Sequence, residues 1–173
     1  LDTDVVIDTD ATDDSTTGGD VTFTRAATID SQATAVPATE ANDLEIDAGI
    51  ARVFFNANIG AGTNGALGHL SITQATGGVT FGEDDTDQGA GTTSFVTTIN
   101  VTGDAAGNTG LSGIEIGTGV NEILGTGIVF NGGTAGNLLT MQSTGDSVRL
   151  NGAVTLDTDV VIDTDATDDS TTG

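Results

Sequence analysis

Cysteine, tryptophan and tyrosine are absent from this 173-residue sequence, and proline occurs once, at Pro37. Without cysteine there is no disulfide framework and no thiol chemistry, which leaves the redox compartment open. Lysine is missing as well: the three cationic side chains are Arg25, Arg52 and Arg149. Against them stand 26 acidic residues, for a formal net charge of −23. Phosphate recognition needs clustered Lys and Arg, so nucleic acid is excluded as a partner. An anionic membrane surface would repel the chain, and no apolar run approaches the ~20 residues that a spanning helix requires. No membrane insertion is expected. The helix-forming pattern is also lacking, because Thr, Val, Gly and Asp crowd out any sustained 3.6-residue stripe.

What is present excludes disorder. Val, Ile, Leu and Phe recur in short alternating pairs that disordered acidic chains do not have. The largest feature is a repeat: residues 1–18 read LDTDVVIDTDATDDSTTG, and residues 156–173 read the same. Leu1 and Leu156 therefore define a period of 155 residues. The sequence reads as one register of a tandem array, with residues 1–155 a complete unit and 156–173 the start of the next.

Inside the unit lies a shorter pattern. Apolar-x-apolar triplets recur in pairs: Leu44-x-Ile46 with Val53-x-Phe55, Leu70-x-Ile72 with Val79-x-Phe81, and Leu139-x-Met141 with Val148-x-Leu150. Val5-x-Ile7 with Val21-x-Phe23, and Ile114-x-Ile116 with Ile128-x-Phe130, repeat this across longer loops, DATDDSTTGG and GTGVNEILGTG. A third triplet often follows, at Ala27-x-Ile29, Ile59-x-Ala61 and Val154-x-Leu156. Period-2 alternation makes each triplet a short strand. First strands are expected at 5, 44, 70, 114 and 139, with the next copy opening at 160. The run Phe95 to Val101 adds room for a sixth turn.

Strands this short cannot bury a stable face alone, but stacked on equivalents they gain a hydrogen-bond ladder and a shared interior. The predicted fold class is all-β, a parallel β-helix (β-solenoid) of five or six turns per unit, rising about 24–29 Å at ~4.8 Å per turn. Outward positions such as Thr22, Thr80 and Arg149 should face solvent, each arginine meeting a carboxylate. The second copy's first strand, Val160 to Ile162, should stack beyond the last turn of the first. The competing reading is an antiparallel immunoglobulin-type sandwich, with hairpins at Asn64-Gly65, Asn131-Gly132 and Asn151-Gly152. It wants ~100 residues, longer strands and an aromatic core.

Chemistry is sparse. The stretch Asp8-Thr9-Asp10-Ala11-Thr12-Asp13-Asp14 offers the hard oxygens that Ca²⁺ takes. Asp8, Asp10, Asp13 and Asp14 are thus calcium candidates, although the EF-hand spacing fails at Thr12 and Asp13. A solvated acidic loop that keeps neighbouring filaments apart is the simpler reading. Glu83-Asp84-Asp85-Thr86-Asp87 is a second acidic cluster. His69, the single histidine, has no second imidazole nearby and reads as a surface or corner residue. Carboxylate pairs could serve glycoside chemistry, but no lysine stands beside them. No enzyme is expected.

The series VTFTRAATI, LEIDAGIARVFFNANIG, LSITQATGGVTFG and VRLNGAVTLDTDVVIDTD resembles the repeats of filamentous-haemagglutinin-like bacterial surface proteins. The resemblance is clearest over residues 1–81 and 138–173. It implies a right-handed β-helix in a large secreted protein of the two-partner-secretion type, located outside the cell on a bacterial surface. It carries over no adhesion residue. The long acidic loops and the strict period depart from that family's pattern. The expected function is a structural repeat of a long acidic extracellular fibre, filament or sheath, whose partner is itself, stacked end to end with lateral contacts and divalent counter-ions. The alternative is the stalk of a secreted adhesin whose binding domains lie elsewhere.

Overall fold

The computed structural model describes residues 1, 3–10, 16–31, 41–63, 65–82, 96–102, 113–117, 122–131, 137–144 and 146–165. Among the described residues there is no helix, only strands and turns. The strands are β1 (Val5–Asp8), β2 (Val21–Phe23), β3 (Leu44–Asp47), β4 (Arg52–Phe55), β5 (Leu70–Gln74), β6 (Gly78–Phe81) and β7 (Thr98–Val101). They continue with β8 (Ile114–Ile116), β9 (Ile128–Phe130), β10 (Leu138–Ser143), β11 (Val148–Leu150), β12 (Val154–Leu156) and β13 (Asp159–Asp163).

Three parallel sheets result. The first runs β1-β3-β5-β8-β11, the second β2-β4-β6-β9-β12, and the third β7-β10-β13. Single-residue parallel bridges at Ile29–Ile59 and Ile59–Ile99 extend the third sheet by two levels. The chain thus visits first, second and third sheet in the same order five times. Among the described residues every pairing between named strands is parallel, with one isolated antiparallel bridge, Thr144–Asp165, and this argues against the antiparallel sandwich. Asn151-Gly152 makes no hairpin, because the flanking β11 and β12 belong to different sheets.

Registers align the alternating residues into ranks. On the first sheet Val5, Leu44, Leu70, Ile114 and Val148 lie above one another, as do Ile7, Ile46, Ile72, Ile116 and Leu150. On the second, Val21, Val53, Val79, Ile128 and Val154 form one rank. Beside it Phe23, Phe55, Phe81 and Phe130 stack at centroid spacings of 5.1, 5.0 and 5.1 Å, with planes within 16° of parallel. Inward residues from all three sheets join one apolar cluster in the middle levels. Thr22 and Arg149 are exposed and Thr80 is half-exposed, as their outward positions require.

Three expectations change. Leu139-x-Met141 is not a first strand: β10 pairs with β7 and β13 on the third sheet. Val148-x-Leu150 takes the first-sheet place, and Val154-x-Leu156 the second. The nine-residue step from 139 to 148 links third sheet to first, whereas the same step from 44 to 53 links first to second. Identical apolar triplets at identical spacing carry no label for the sheet they join; only the pairing assigns it. The run near Val101 forms β7, the third strand of the third circuit, so it adds no sixth circuit; Phe95 lies outside the described residues.

Candidate functional site

The acidic corner between β1 and β2 is built by side chains folding back on their own backbone. Asp8 Oδ1 accepts the amide of Asp10 at 2.8 Å, a turn that aspartate favours two residues on. Its stacked partner Asp47 repeats this, accepting the amide of Gly49 at 2.9 Å. Asp10 is buried, and its Oδ1 accepts the Thr17 hydroxyl at 2.7 Å. The next level closes tightly over this corner: Gly49 sits at φ 56°, and a Cβ there would lie 2.1 Å from the Thr17 carbonyl oxygen and 2.8 Å from Asp10. Gly18 at φ 149° meets the Ala48 carbonyl equally closely.

The calcium candidates therefore part company. Asp8 is exposed and Asp10 buried, with oxygens of both engaged by the protein itself. Asp13 and Asp14 lie outside the described residues, as does the cluster at Glu83–Asp87. Among the described residues no group of three or more carboxylate or imidazole side chains converges to hold a metal ion.

A second polar cluster lies on the outward side of the first sheet. There the register stacks Val6, Glu45, Ser71, Glu115 and Arg149. Arg149 Nη1 donates to Glu115 Oε1 at 2.6 Å, with the arginine side chain 50% and the glutamate side chain 10% exposed. A carboxylate for Arg149 was legible from its outward position; its identity came from the register. Arg52 instead lies over the Phe54 ring, 5.9 Å from its centroid.

His69, expected at the surface or in a corner, lies in the connection before β5 but is buried, at 4% exposure. Among the described residues its Nε2 has no hydrogen-bond partner. Burial pushes the imidazole below its ordinary value of 6.5, against the opposing pull of the Glu115 and Asp146 carboxylates. The correction is physical: the outer side of the first sheet is covered at this level, since Ser71 and Glu115 are buried with it. No sequence pattern marked that cover. Ile123, inside a segment read as loop, is likewise buried and bridges Ala75.

An open cleft of about 420 Å³ lies where Leu1, Asp30, Gly62 and Gly65 meet. Asp30 Oδ1 accepts the Gly62 amide at 3.1 Å, and the Leu1 carbonyl accepts from Asn42 Nδ2 at 2.9 Å.

The ends of the sheets complete the inventory. β1 and β2 close one end, β11, β12 and β13 the other, and among the described residues each pairs with a strand on one side only. Inward positions that are fully buried in the middle levels open there, with Val154 43% and Leu156 59% exposed. Neither a protein-family model, nor a curated protein, nor a solved structure matches this chain.

Proposed function

We propose that the chain is the repeat unit of an acidic extracellular fibre on a bacterial surface, a right-handed β-solenoid that bears length and has no catalytic role. One observation carries this reading: ranks of like residues run unbroken through five levels and stop at open edges, while the sequence begins again at Leu156. An open stack of this kind gains stability from each added neighbour. Exposed edges invite pairing, and a following unit satisfies them. The right-handed coil is supported by the near-universal hand of parallel crossovers, the chain returning to a parallel neighbour after visiting the other two sheets. The net charge of −23 supports a surface that stays soluble and separate from its neighbours. The absence of Trp and Tyr favours a spacer over a stalk with its own carbohydrate platform.

Electron cryomicroscopy of tandem-array material tests the reading. A continuous rod with ~4.8 Å layer spacing is expected. Beads of about 40 Å joined by linkers would replace it with separate globular domains.

A further inference from the structure

We infer that successive 155-residue units join one sheet out of register, so that each unit is turned by about a third of a circuit relative to the one before. This rests on the solenoid reading above and extends it to the junction between units.

The two copies of the eighteen-residue segment reveal the offset. In the first copy, Val5–Asp8 forms β1 on the first sheet, paired with β3. In the second, the same letters form β13 on the third sheet, with Val160 against Leu139 and Ile162 against Met141. The preceding leucine moves in step. Leu156 ends β12 on the second sheet, opposite Phe130. Its counterpart Leu1 packs at the third sheet's end, where its amine donates to the carbonyl of Asp30, next to Ile29. Both landmarks shift by one sheet, in the same direction.

The turn that follows the strand is kept through the shift. Asp163 Oδ1 accepts the Asp165 amide at 3.0 Å, as Asp8 does for Asp10. The segment carries its own turn into whichever corner it reaches, because its alternation fits any sheet. What places it is the count of strands before it. From β1 to β12, with the bridges at Ile29 and Ile59, there are fourteen strand positions, one short of five complete circuits.

The next unit then meets the open end in a defined way. Its counterpart of β2 falls against β11 on the first sheet, its counterpart of the Ile29 bridge against β12 on the second, and its counterpart of β3 against β13 on the third. That covers the half-exposed Val154 and Leu156 with the counterpart of the Ala27-x-Ile29 triplet. Three units return the segment to its starting sheet. The acidic corner of each unit is thereby presented in rotation around all three sides of the fibre, and no single side collects the charge.

The 173-residue chain itself tests the junction, since it contains both copies and no native cysteine to interfere. Register partners on adjacent parallel strands lie about 4.8 Å apart, within disulfide reach. Three double variants are oxidised and their cross-links mapped by mass spectrometry. Val6→Cys with Glu45→Cys reports the parallel stack itself. Thr140→Cys with Val161→Cys reports the offset junction. Arg149→Cys with Val161→Cys reports an in-register junction, with the second copy over β11. Cross-linking of the first two pairs and not the third is expected.

A cross-link in the third pair would overturn the offset and leave the solenoid standing. So would a cross-link in the first pair alone. Failure of the first pair would sink the solenoid reading and the offset with it. Because Arg149→Cys also removes an ion pair, reconstruction of a tandem array gives a second readout: about 22 Å rise with a third of a turn per unit, against about 24 Å and no rotation for in-register joining.

Discussion

His69 and Arg149 sit near one carboxylate, Glu115, and answer to different variables. The depressed His69 imidazole is neutral in the folded chain where the unfolded chain would already bind a proton. Stability is therefore full above 6.5 and declines as pH falls from there toward the folded value. His69→Leu should remove that decline, and it leaves no group unsatisfied on the Nε2 side, which has no partner among the described residues. The measurement is the difference between the two melting profiles from pH 7 to 5, which cancels the neutralisation of other acids common to both. Identical profiles would mean that His69 titrates as if exposed. Arg149 is half-exposed, so its pair is worth little: Arg149→Ala should cost about 0.5–1 kcal/mol. The deficit should shrink as salt is raised, since an exposed partner is screened.

At the scale of the element, the phenylalanine ladder separates middle from end. Phe55, Phe81 and Phe130 are fully buried, while Phe23 lies at the edge of its sheet. Phe81→Ala opens a void with rings on both sides and should cost about 3–5 kcal/mol. Phe23→Ala, stacked on one side alone, should cost less than half as much. Denaturant midpoints compare the two directly, and equal losses would show that β2 is as enclosed as β6. The acidic corner has its own weak point. Gly49→Ala puts a side chain on a left-handed backbone and against the Thr17 carbonyl. A loss of about 1–3 kcal/mol is expected, and loss of amide-exchange protection at Thr76, whose N–H bonds the Gly49 carbonyl, would locate it.

For the whole molecule, charge and stacking oppose each other. With a net charge of −23, the compact state repels itself. The melting temperature should rise between about 10 and 150 mM NaCl as the Debye length falls from ~30 to ~8 Å. This is opposite in sign to the salt response of the Arg149 pair. A flat response would mean that the acidic residues lie too far apart to interact.

The sequence by itself determined the strand composition and the inward and outward sides of each triplet. These follow from period-2 alternation, which acts over a few neighbouring residues. The 155-residue period needed no structure either. Tertiary structure decided which sheet each triplet joins, because Leu139-x-Met141 and Leu44-x-Ile46 look alike until their partners are known. It also decided the burial of His69 and the choice of Glu115 for Arg149, which depend on what stacks one level away. The clearest case is the repeated segment: one string of letters lies on the first sheet at one end and on the third at the other. Alternation says which side of a strand faces inward, and the number of strands already laid down says where that strand must go.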